Sequence, residues 1–84
     1  MKETSEIEIT FDEDGVHTVA RASIAIRGVR LFAAGRASRN PADSEMPIVG
    51  EELAAARALS DLAHQLVEAA AGAISQREGS PTDS

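Results

Sequence analysis

Between residues 5 and 38, apolar and polar side chains alternate with a period of two, interrupted twice by turn residues. A period of two sends successive side chains to opposite faces of an extended strand, so three such segments in a row read as an antiparallel meander. Residues 5–11 set Ile7, Ile9 and Phe11 against Glu6, Glu8 and Thr10. Asp12-Glu13-Asp14-Gly15 then supplies turn residues that accept left-handed geometry. Residues 16–27 alternate again, with Val16, Thr18, Ala20, Ala22, Ile24 and Ile26 facing one way. His17, Val19, Arg21, Ser23, Ala25 and Arg27 face the other. Gly28-Val29 reads as a two-residue loop of type II′, and residues 30–38 form the third strand.

If both hairpins are tight, the register follows. The inner face then pairs Ile7 with Ala20, Ile9 with Thr18, Ile24 with Ala33 and Ile26 with Leu31. The outer face pairs Glu6 with Arg21, Ala25 with Phe32, Ser23 with Ala34 and Arg21 with Arg36, while Arg27 meets Arg30. These last two pairs set like charges directly across strands, which is unfavourable unless an anion is near.

Asn40-Pro41 ends the alternation, and from near Gly50 to about Gln76 the period lengthens to that of a helix. Glu51 and Glu52 are expected in its first turn, where carboxylates favour the positive end of the helix dipole. At 100° per residue, Ala56, Leu59, Ala63, Leu66, Val67, Ala70 and Ile74 make an apolar stripe expected to lie on the sheet. Arg57, Asp61, His64, Gln65 and Glu68 make the opposite face. The fold class implied is α+β, a three-stranded antiparallel sheet packed on one long C-terminal helix in the order β-β-β-α. Residues 5–76 are expected to form the single domain, with 1–4 and 77–84 as flexible termini.

An 84-residue chain has little core, and such domains often rely on disulfides, a metal or oligomerisation. Cysteine is absent, and His17 and His64 lie far apart without metal-ligand spacing, so oligomerisation remains. No apolar run reaches the roughly 18–20 residues of a membrane span, and residues 1–6 are polar, so the expected location is cytoplasmic. With only Phe11 and Phe32 as aromatics, a base-stacking platform cannot be built. The net charge of −6 is unevenly spread: residues 1–15 carry −5, residues 16–42 carry +5 from five arginines, and residues 43–84 carry −6.

The run Gly35-Arg36-Ala37-Ser38-Arg39-Asn40-Pro41-Ala42-Asp43, followed from Pro47 to Leu62 by PIVGEELAAARALSDL, resembles a family of small actinobacterial proteins of unknown function. The family has a double-stranded-RNA-binding-domain fold. The resemblance covers roughly residues 5–74 and is strongest from Gly35 to Leu66; the first strand lacks the tryptophan of many members. It implies three strands and a C-terminal helix without the N-terminal helix of true RNA-binding domains. Those domains also use a histidine in the first β-loop and lysines at the start of the last helix. Here those places hold Asp12-Glu13-Asp14-Gly15 and Glu51-Glu52, which repel phosphate. A similar arrangement in ribosome-hibernation factors keeps a ribosomal role open by analogy alone.

The outer face holds the candidate site. Val19, Ala25, Phe32 and Ala34 form an apolar centre, the expected oligomer interface, inside a rim of arginines. Arg21, Arg27, Arg30, Arg36 and Arg39 are the candidate anion or RNA contacts, with acids of the same sheet as their competing partners. Asn40, Pro41 and Asp43 form a motif loop that either binds or simply holds a tight connection. His64 with Asp61 and Glu68 is ordinary helix-surface pairing, because no nucleophile stands beside it. No catalytic residue, cofactor, metal or small-molecule substrate is implied. The leading expectation is a non-enzymatic protein that assembles into dimers or tetramers through the outer face. The alternative is a ribosome- or RNA-associated factor using the arginines.

Overall fold

The structure is a computed structural model that describes residues 1–39 and 47–78. Three strands, β1 (Ile7–Glu13), β2 (His17–Ile26) and β3 (Val29–Ser38), form an antiparallel sheet in the order β1-β2-β3. One helix, α1 (Pro47–Glu78), follows. The architecture is therefore the α+β sandwich implied by the change of period.

The register departs from the expected one, and in both hairpins by an even number of residues. β1 pairs Ile7 with Ile24, Ile9 with Ala22 and Phe11 with Ala20, not Ile7 with Ala20 or Ile9 with Thr18. β3 pairs Leu31 with Ile24 and Ala33 with Ala22, not with Ile26 and Ile24. An even slip leaves every side chain on its own face, so inner and outer sets survive intact.

Turn chemistry explains both slips. In the first hairpin the Asp14 carboxylate accepts the N–H groups of Val16 at 2.9 Å and His17 at 2.7 Å. That draws the bend to residues 14–17 and extends β1 to Glu13. In the second, Arg27 and Gly28 both take positive φ, 49° and 82°, which is the type I′ geometry rather than type II′. Ile26 then meets Val29, and Arg30 meets Ala25 instead of Arg27.

On the inner face the core is made largely of alanine. Ala20, Ala22, Ala33, Ala37, Ala54 and Ala58 are buried, with Ile24 and Leu62 as the larger members. At Gly35 the approach is closest: a Cβ there would collide with the backbone of Ala54 and Ala58. Gly50 packs the same way, its missing Cβ falling 2.9 Å from the Thr18 hydroxyl.

These contacts also correct the expected helix face. The stripe on the sheet is Ala54, Ala58 and Leu62, with Gln65 and Leu66 half-buried beside it. Ala56, Leu59, Ala63, Val67, Ala70 and Ile74 are exposed, so the helix is turned by about a third of a revolution from its expected setting. A bulky stripe cannot sit over Gly35, whereas alanines can. Arg57 and Gln65, expected on the far side, turn to β3: Arg57 Nη1 donates to the Arg36 carbonyl at 2.6 Å, and Gln65 Nε2 to the Phe32 carbonyl at 2.7 Å. α1 begins at Pro47, a residue suited to the first helical position because its missing N–H would have no partner there. Glu51 and Glu52 therefore lie one turn later than expected, and the first turn holds no acid.

Gly35→Ala should lower folding stability by about 1–3 kcal/mol through overpacking against α1. Urea denaturation followed by circular dichroism measures it, and unchanged stability would mean that the helix does not depend on this contact.

Candidate functional site

The outer face gathers the residues expected of it. Val19 and Ala25 on β2 and Phe32 and Ala34 on β3 share that face, Val19 half-buried and the others exposed. Phe32 is 65% exposed, a large apolar side chain on a face that would otherwise be polar. Across the sheet the rows read Asp12–Val19–Arg36, Thr10–Arg21–Ala34 and Glu8–Ser23–Phe32, with Ala25 opposite Arg30.

In this register no arginine stands directly across from another. The expected pairs Arg21–Arg36 and Arg27–Arg30 are replaced by Val19–Arg36 and Ala25–Arg30. Arg21 instead reaches Asp12 at 2.8 Å, not Glu6, and Arg27 reaches Glu3 at 3.3 Å. Both pairs are exposed and contribute modestly to stability. Arg30 donates to the Ser23 hydroxyl at 3.3 Å, and the Arg39 Nε donates to the Gly15 carbonyl at 3.0 Å. The partners of these arginines thus lie on β1, on β2, in the first turn and in the segment before β1. Asn40, Pro41 and Asp43 lie outside the described residues.

A shallow depression of about 420 Å³ opens on this face between Thr4, Glu6, Glu8, Ser23, Ala25 and Arg30. Its acids and its single guanidinium do not converge on one point as a metal or phosphate site requires, and no cluster of three metal-ligating side chains occurs among the described residues. His64 is exposed, with Nδ1 3.0 Å from the Ser60 carbonyl, while Asp61 accepts from Gln65 at 3.3 Å. The expected pairing of His64 with Asp61 and Glu68 is therefore replaced by a backbone contact. Among the described residues no helix is long and apolar enough to cross a membrane.

At one end of the sheet, Asp14 is the strongly perturbed acid. The N–H groups of His17 and Val16, then the His17 imidazole 3.3 Å away, hold its carboxyl down to about 2 from an ordinary 3.8. Because the folded value is the lower one, this carboxylate stabilises the hairpin fully above its ordinary value and loses that effect as pH falls.

The family profile described as Rv2632c-like matches residues 3–83. The chain belongs to this family. It is 41% identical over 63 residues to the uncharacterized protein Rv2632c of Mycobacterium tuberculosis, covering 75% of this chain and 68% of that one. The uncharacterized protein Mb1767 of Mycobacterium bovis is 40% identical over 62 residues, covering 74% and 66%. The crystal structure of Rv2632c superposes with a TM-score of 0.88 at 34% identity over 96% of both chains. The Rv2632c-like family thus agrees with the resemblance to small actinobacterial proteins, and its fold is the one described above.

Asp14→Ala should destabilise the protein near neutral pH, and the difference from wild type should shrink between pH 3.8 and about 2. Denaturation midpoints across that range test it; a difference that persists undiminished at the acid end would exclude the carboxylate as its source.

Proposed function

We propose that the protein is a non-enzymatic binding or structural protein that works as a homo-oligomer assembled through the outer face of its sheet. The observation that carries this reading is the layout of that face. Val19 and Ala25 sit on the central strand, Phe32 lies exposed on the edge strand β3, and charge runs across the face from one strand to another: Glu8 and Asp12 on β1, Arg30 and Arg36 on β3. A two-fold rotation lays β1 of one copy against β3 of the other, so acids meet arginines around an apolar centre. A patch self-complementary in sign is what an isologous interface needs.

Reading the same face as an RNA surface has less support. Its motive was uncompensated arginine pairs across strands, and the register contains none. Asp12 and Glu8 share the face with the arginines and would oppose a phosphate backbone. The overall charge of −6 opposes it further. For metal-dependent catalysis, no group of three metal-ligating side chains occurs among the described residues.

Light scattering should give a mass above that of one chain, persisting at high salt because the centre of the patch is apolar. Phe32→Glu should reduce that mass and leave the circular dichroism unchanged. A variant that still assembles like the wild type removes the outer face from the proposal.

A further inference from the structure

A single helix about 10 Å across covers roughly two strands spaced 4.8 Å apart, and this sheet has three. α1 lies over β2 and β3, where its contacts with the sheet are concentrated. The inner side of β1 is left largely open: Ile7 is 48% and Phe11 41% exposed, although both point to the helix side.

Beyond Leu66 the same chain carries the opposite defect, a helix with nothing against it. Every residue from 67 to 76 is exposed, including Val67 at 68% and Ile74 at 57%. Glu68 is the only charged residue among those ten, and Ala69, Ala70, Ala71 and Ala73 surround the two larger apolar side chains. A helical segment apolar on all sides belongs in a buried setting. Gly72 fits that account. It weakens a helix interior, nothing lies within 4 Å of where its Cβ would be, and a second backbone passing closely would give it a purpose.

The two defects are comparable in length. The seven residues of β1 span about 23 Å, and the ten exposed residues 67–76 make about 15 Å of helix, enough to cover more than half of it. We infer that the projecting end of α1 docks on the open inner face of β1 of a second copy, beside that copy's own helix. A two-fold axis lets each copy give its helix end and receive the other's, so both exposed surfaces are covered in both chains. Small residues on the helix let it lie close, as Ala54 and Ala58 already do over β3. This surface is separate from the outer face, so both interfaces together would close a tetramer, and either alone a dimer.

The double substitution Val67→Glu and Ile74→Glu tests the inference, since both positions are exposed and the fold of one chain does not need them. Light scattering should show the mass halved relative to wild type, with helical circular dichroism retained. Amide exchange in residues 67–76 should be slow at near-millimolar wild-type protein and fast at low micromolar. An unchanged mass in the double variant, or exchange that ignores concentration, overturns the inference. The outer-face reading fails independently: if Phe32→Glu alone lowers the mass, this inference is wrong and that one stands; if the helix variant alone does so, the reverse holds.

Discussion

The structure depends on how closely α1 comes to β3. At Gly35 a strand backbone meets a helix backbone with no side chain between them, and Ala54, Ala58 and the Cβ of Arg57 flank the contact. The gain is an interior of small groups in which helix and strand lie close together. The limitation is that, among the described residues, Ile24 and Leu62 are the sizeable side chains fully inside the core, with Ile9, Leu31 and Leu66 partly buried against it. Domains of this size bury a modest share of their surface, and here that share is smaller still. Large apolar residues are not lacking. They are displaced to exposed places: the inner side of β1, the far stripe of the helix and, with Phe32, the β3 edge of the outer face.

The sheet divides its two faces by chemistry. Inside, apolar side chains face the helix or lie bare beside it. Outside, acids on β1 and arginines on β2 and β3 share the face with Phe32, and ion pairs such as Arg21–Asp12 and Arg27–Glu3 absorb charge within the chain. A chain with five arginines between residues 16 and 42 thus remains acidic overall, and two of the five, Arg21 and Arg27, pair with acids of the same chain.

Much of this is legible in the residues alone. Alternation assigns each strand residue to a face, and that assignment survives because a slip by two or four preserves parity. The exact register is not legible, since it turns on which atoms close each bend. Asp14 acts through its carboxylate rather than as a generic turn residue, and Arg27 adopts a left-handed conformation normally left to glycine or asparagine. The helix face is misread for a different reason. Counting bulk favours Leu59, Val67 and Ile74, but the sheet offers a surface of glycine and alanine and selects the smallest stripe. A search for glycine on an inner strand position opposite helical alanines would have found it. The candidate outer face, by contrast, follows from alternation and is read correctly as a set, though the arginines' partners are not.

Arg57 and Gln65 donate to the carbonyls of Arg36 and Phe32 along the side of β3 that has no neighbouring strand. Those carbonyls would otherwise invite another chain to add its own strand. At the opposite border, β1 carries Glu8, Asp12 and Glu13, so a second β1 approaching it meets its own charge. Both borders of the ribbon are therefore guarded, one by side chains from the helix and one by repulsion. Growth by strand addition, the route to open-ended fibres, is discouraged at each end.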